Sequence, residues 1–155
     1  MLDRFDRHID YLRISVTDRC NLRCVYCMPP TGVPLIRHQD VLSFEEIRDV
    51  AAIALELGVR KVRLTGGEPL VRRGIVRLVA MLAELHGIDD LAMSTNGILL
   101  EKTAGALADA GLQRVNISLD ALDPERYAAI TRGGDVQQVL RGIAAARLAG
   151  LGPIK

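Results

Sequence analysis

The sequence predicts an α/β fold, the early part of a β/α barrel with four complete parallel strands and the start of a fifth. The first observation behind this is a repeat: a helical stretch ends in glycine, an apolar residue follows, and two residues later a strand begins. It recurs at Gly58-Val59-Arg60-Lys61, Gly87-Ile88-Asp89-Asp90, Gly111-Leu112-Gln113-Arg114 and Gly150-Leu151-Gly152-Pro153. Strands separated by helices in this rhythm imply crossovers and a parallel sheet. The second observation is a polar strand face. Counting by twos, it carries Arg13, Ser15 and Thr17, then Lys61, Arg63 and Thr65, then Ala92 and Ser94, then Asn116, Ser118 and Asp120. A parallel sheet covered by helices on both faces reads as continuous hydrophobic runs, so a polar face points to a barrel lumen with ligands at the C-terminal strand ends. A solvated sheet face would give the same alternation, but its usual home is a one-sided antiparallel sheet. The third observation is the fourth repeat, which places Lys155 in register with Arg63 and Asn116 just as a fifth strand starts at Ile154. Such a half-sheet leaves a bare edge, so this stretch is expected to be the N-terminal part of a longer protein and poorly soluble alone.

In chain order, residues 10–17 alternate apolar and polar and read as the first strand. Residues 31–39, with Gly32 and Pro34, are expected to stay irregular. Ser43-Phe44-Glu45-Glu46 has the form of a capping box and predicts a helix running to Leu57. Further helices are predicted over 71–86, 99–110 and 123–149, the last interrupted by Gly133-Gly134 and opened by Asp123 as N-cap with Pro124 at the first helical position.

A length of 155 residues bounds the chain at about one domain. Hydrophobic residues are 49% and aromatic ones 3%, so the core must be built from Leu, Ile, Val and Ala. A formal charge of +1 argues against a general nucleic-acid binder. No apolar run approaches the ~20 residues of a membrane span. The N-terminus, Met1 to Arg7, carries charges of both signs and no hydrophobic signal core, which together with unpaired cysteines points to the cytoplasm.

All 3 cysteines, Cys20, Cys24 and Cys27, lie in one loop after the first strand. The C-x3-C-x2-C spacing lets three thiols converge on one point, the demand of a metal or iron–sulfur centre. An odd count makes a disulfide framework a poor fit. A structural zinc site would need a fourth ligand, either His38 or His8, whereas a [4Fe–4S] cube on three cysteines leaves one iron open to a small molecule. Inert core cysteines are the third reading. Strand two ends in Thr65-Gly66-Gly67-Glu68-Pro69, where glycines let the backbone approach a ligand or serve a plain βα turn. Ser94-Thr95-Asn96-Gly97 and Asn116 to Asp120 put short polar side chains at the barrel mouth, and taken alone they read as turn and capping chemistry. Arg13, Arg63 and Lys155 are cations on the lumen face, suited to several negative charges or, alternatively, to a buried network with Asp120 and Glu68. No G-x-x-x-x-G-K-[ST] loop is present, so a phosphate would have to be held by such side chains.

The cysteine spacing with Tyr26 just before the last cysteine resembles the signature of the radical S-adenosylmethionine (SAM) enzymes, and Gly66-Gly67-Glu68-Pro69 resembles their SAM-binding GGEP motif. The resemblance implies a (β/α)6 partial TIM barrel, of which residues 1–155 would be the N-terminal part of the core domain. It also implies a cluster ligated by Cys20, Cys24 and Cys27, whose open iron binds SAM and, when reduced, cleaves it to a 5′-deoxyadenosyl radical. Leu12-Arg13-Ile14-Ser15, Arg63 to Arg73, Ser94 to Gly97, Arg114 to Asp120 and Pro153-Ile154-Lys155 resemble, over nearly the whole chain, the members that cyclise GTP to 3′,8-cyclo-7,8-dihydro-GTP in the first step of molybdenum cofactor biosynthesis. This implies SAM contacts at Tyr26, Gly67 and Ser118, with Glu68 and Asn116 as further ones, and GTP contacts at Arg13, Arg63, Ser94 and Lys155. No side chain takes a catalytic role, the radical chemistry being carried by cluster and SAM. A one-electron donor is implied as partner, a homodimer is allowed, and neither nucleic acid nor membrane is expected. Those members carry a second [4Fe–4S] cluster in a C-terminal domain and a Gly-Gly tail; no cysteine follows Cys27, so both are expected only in the complete protein and this stretch alone to be inactive. The competing enzyme reading is a radical SAM protein that matures peptides or sulfatases, which would not need three lumen cations; a zinc module is the non-enzymatic one.

Overall fold

A computed structural model describes residues 2–155 and shows one sheet of four parallel strands in the order β1-β2-β3-β4. These are β1 (Tyr11–Ser15), β2 (Lys61–Thr65), β3 (Asp90–Thr95) and β4 (Arg114–Ile117). The helices are α1 (Phe44–Glu56), α2 (Ile75–Ala83), α3 (Leu100–Asp109), α4 (Pro124–Thr131) and α5 (Val136–Leu148). This is the α/β architecture expected. Met1, part of the charged N-terminal stretch, lies outside the described residues. No helix among them is long and apolar enough to cross a membrane.

The strands alternate as their sequences demand. Val62, Leu64, Leu91, Met93 and Val115 turn toward the helices and are buried in one core with Ile47, Leu78, Leu82 and Leu107. Each such side chain removed from water is worth roughly 1.5–3 kcal/mol, which fixes the register of every strand because a one-residue slip would turn the set outward. Of the alternate residues, Arg13, Arg63, Thr65, Ser94 and Asn116 line one cavity. The capping box forms: Ser43 Oγ accepts from Glu46 N at 3.1 Å, and Glu46 Oε2 accepts from Ser43 N at 2.7 Å. Asp123 accepts from Arg126 N, and Pro124 opens α4. The Gly133-Gly134 interruption separates α4 from α5.

Three details depart from expectation. Helix α2 starts at Ile75, not at 71, because Pro69–Val71 forms a 3-10 turn and Gly74 sits at φ 82. Arg72 holds that turn away from helical geometry by donating to the carbonyls of Val16 (2.6 Å) and Leu42 (2.5 Å) while lying over the Phe44 ring. The fifth strand is present as one bridge: Lys155 N donates to Val115 O at 3.2 Å, and Ile117 N donates to Lys155 O at 2.7 Å. Lys155 therefore stands opposite Asn116, as expected, but not level with Arg63. Arg63 pairs with Ala92, Ala92 with Arg114, and Asn116 lies two residues further on. A barrel staggers its strands as it curves, and a repeat counted along the sequence does not contain that stagger.

Candidate functional site

The polar face and the loops at the C-terminal strand ends enclose a cavity of about 560 Å³. Every residue expected from the sequence to bind cluster, SAM or GTP lines it. The cysteine loop forms one wall. Its last turn is set by Cys27 N and Met28 N, which both donate to Cys24 O at 3.0 and 3.2 Å. All three thiols are free, with Cys27 exposed and Cys20 and Cys24 half-buried. Cys20 Sγ accepts from Leu22 N at 3.4 Å and faces the Asn96 amide at 3.9 Å. Burial pushes the Cys24 thiol up, and the neighbouring Tyr26 hydroxyl counters part of this.

No three His, Cys, Asp or Glu side chains among the described residues are drawn tightly enough around one point to hold a single metal ion. The three thiols line one cavity. A four-iron cube takes one thiolate per iron, so three cysteines suffice for it, whereas a structural zinc ion needs a fourth ligand. Neither of the histidines that would complete a zinc site lines this cavity; His38 faces a separate cavity and His8 bridges to Leu2. The residues fit the cluster.

Tyr26 is placed by Asp120, whose two carboxylate oxygens each accept from the phenol at 3.1 Å; burial, then Cys24 and Asp120, hold its proton on more tightly than usual. Gly66 and Gly67 are required for a close approach to protein backbone as much as to any ligand. Gly67 N donates to Thr17 O at 2.7 Å, and a Cβ on Gly67 would stand 2.3 Å from Arg19 O. The tip of β2 is thus pinned under the cysteine loop. Glu68 N donates to Arg19 O at 2.8 Å. The Glu68 side chain, 1% exposed, is occupied within the protein: Oε1 accepts from Leu70 N (3.0 Å) and Thr95 Oγ1 (2.7 Å), and Oε2 from Asn96 N (2.7 Å). Burial raises its pKa against the pull of those donors.

Arg13 and Arg63 stand directly opposite each other on β1 and β2, and Lys155 and Ser94 flank Asn116. None of the three cations forms an ion pair with a described residue. The expected alternative, a network with Asp120 and Glu68, does not form: Asp120 receives Tyr26, and Glu68 receives the strand-three loop. The acid that is paired on this face, Asp90, goes to Arg114. Two buried polar atoms have no partner among the described residues, Arg63 Nε and Tyr127 Oη, and both residues line the cavity. Ser118 N donates to Thr95 O at 2.9 Å, which fixes its approach to the mouth. Sequence reasoning did not assign Asp120, Tyr127, Thr95 or Asn96 to the site; the Ser94 to Gly97 and Asn116 to Asp120 segments carried a signal, but Tyr127 reaches the cavity from α4 with none.

A staggered α/β half-barrel with thiols, a pinned glycine turn and unpaired cations at its strand tips defines a class, and a family model confirms it: the "Radical SAM superfamily" matches residues 14–155, and the chain belongs to that superfamily. Within it, the chain is 54% identical over 155 residues to the GTP 3′,8-cyclase of Petrotoga mobilis and 57% identical over 155 residues to that of Heliobacterium modesticaldum. Those alignments take in 100% of this chain but 48% and 47% of the relatives, so the chain spans about half the length of the curated relatives it matches. Among solved structures, Streptococcus suis SuiB bound to precursor peptide SuiA matches with a TM-score of 0.76 at 21% identity, over 92% of this chain and 31% of that one. Methylornithine synthase (PylB) matches at 0.72 and 21%, over 93% and 42%. At such identities these two speak for the partial TIM-barrel fold alone.

Proposed function

We propose that these residues are the N-terminal part of the core domain of an enzyme that cyclises GTP to 3′,8-cyclo-7,8-dihydro-GTP, the first step of molybdenum cofactor biosynthesis. The identity to curated GTP 3′,8-cyclases over the whole chain supports the reading. The observation that carries it is the Arg13–Arg63 pair. Like charges directly opposite on neighbouring strands repel, and leaving a guanidinium Nε buried without a partner adds to the cost. Asp90 offsets part of the Arg63 charge at a distance, and the Tyr11 ring lies 5.4 Å from the guanidinium. No acid among the described residues forms an ion pair with either arginine, which leaves the arrangement suited to an anion that arrives. A triphosphate supplies one, and arginine forks suit its oxygens.

Cys20, Cys24 and Cys27 would hold a [4Fe–4S] cluster, which with SAM and one electron from a donor supplies a 5′-deoxyadenosyl radical. The chain's own part is placement. Asp120 steadies Tyr26, and the pinned turn presents Gly67 and its backbone to SAM beside Ser118 and Asn116. Arg13, Arg63, Ser94 and Lys155 would hold GTP from the opposite wall. A second cluster for the guanine end belongs to the polypeptide of the complete enzyme. The test is equilibrium GTP binding beside 5′-deoxyadenosine formation under strict anaerobiosis. Arg63→Ala should weaken GTP by ~1.5–3 kcal/mol, the range of a charged hydrogen bond, and leave SAM cleavage without GTP largely intact. Unchanged GTP affinity in Arg13→Ala, Arg63→Ala and Lys155→Ala alike would overturn the reading.

A further inference from the structure

The cysteine loop is tied to the far end of α4 as well as to the tip of β2. Arg23 N donates to Thr131 O at 3.2 Å, and Val25 N donates to Ile130 O at 2.9 Å, so the last carbonyls of α4, which lack partners in their own helix, are taken up by the loop. One residue further, Arg132 returns the contact. Its Nη1, which carries two hydrogens, donates to Arg23 O and to Met28 O at 2.7 Å each. Those carbonyls bracket Cys24 and Cys27, so a single nitrogen closes the span that carries two of the three thiols. Arg132 does this from φ 55, a left-handed conformation that a long side chain adopts at a cost and that glycine or asparagine takes more readily. Strain kept in a non-glycine residue next to a binding loop is a sign that its side chain is used.

We infer that Arg132 is a positioning residue for the iron–sulfur cluster, latching the cysteine loop to the end of α4 so that the thiolates stay at the spacing a cube requires. Two unprimed alternatives are weaker. A C-cap role alone needs no bond to Arg23 or Met28, and a surface ion pair is absent, since no acid partners Arg132 among the described residues. The latch also places a fixed positive charge beside a site whose bound cluster and thiolates are anionic. The inference rests on the thiols holding a cluster and not on which substrate the enzyme takes.

The decisive variant is Arg132→Gly, because glycine relieves the left-handed strain and α4 should keep its stability. Two measurements are made on the anaerobic protein. In the metal-free form, hydrogen exchange at the Arg23 and Val25 amides should quicken by about tenfold while the amides of α4 keep their protection, the scale of losing one charged hydrogen bond at the lower end. In the reconstituted form, iron should pass to a chelator about tenfold faster than from the wild type, as expected when one charged anchor of the loop is removed. Arg132→Lys, which keeps the charge and the donors, should recover part of both effects. Unchanged exchange at Arg23 and Val25 would overturn the inference, and so would loss of α4 protection together with theirs, which would make Arg132 a helix cap and nothing more. A protein that takes up no iron at all would count against the cluster, and the metal-free exchange would still decide the latch.

Discussion

Glu68→Ala is expected to destabilise the metal-free protein by about 3–5 kcal/mol, and the structure supplies the reasons. The carboxylate is 1% exposed and accepts three hydrogen bonds, from Leu70 N, Thr95 Oγ1 and Asn96 N. Each buried donor left unmade costs roughly 1–3 kcal/mol, and the release of a desolvated charge returns part of the sum. Glu68→Gln keeps one acceptor but turns an amide N–H toward a donor, so a loss of about 1–2 kcal/mol is expected. The pH dependence separates this account from simple cavity formation. Burial raises the folded-state pKa of Glu68 above its ordinary 4.5. The folded protein therefore binds a proton more tightly than the unfolded chain, and the resulting stabilisation is fully present below about pH 4.5 and lost as pH rises through the higher folded value. In Glu68→Gln this component of the slope should vanish. Urea unfolding of wild type and both variants across that window is the assay. A loss under 1 kcal/mol in Glu68→Ala, or an unchanged pH slope in Glu68→Gln, would refute the reasoning.

Replacing any one of Cys20, Cys24 or Cys27 by Ala should abolish retention of a four-iron cluster, read as iron and sulfide content after anaerobic reconstitution; stoichiometric zinc without sulfide in the wild type would contradict it. Tyr127→Phe should raise the stability of the metal-free protein by about 1 kcal/mol, because it removes a buried hydroxyl without a partner and leaves the ring packed; burial pushes that phenol up to about 12, so the change should be flat across neutral pH.

The sequence was informative wherever one short stretch carries its own geometry. The Ser43–Glu46 box, the Asp123-Pro124 start and the alternation of Lys61 to Thr65 each state a local rule, and each formed. The three cysteines are close in the chain, so their nearness in space needed no fold to foresee it. What stayed hidden involves partners far apart. Arg132 and Met28 are separated by 104 residues, and nothing in either neighbourhood announces the other. Glu68 sits in a motif read as facing a ligand, yet its donors come largely from the next loop, and only the packed sheet brings that loop within reach. The offset of Lys155 from Arg63 has the same origin, since it belongs to the closure of the sheet and to no single strand.

That offset makes the cavity floor a stair. Arg13 and Arg63 share one tread, and Lys155 stands two residues nearer the mouth, a rise of roughly 6–7 Å along the strand direction. A compact anion resting between the arginines leaves the upper tread empty, while an extended polyanion lies obliquely across both. Under the proposed function, discrimination by phosphate-chain length would be a matter of reach: shortening the chain removes contact with one tread altogether instead of weakening all contacts evenly.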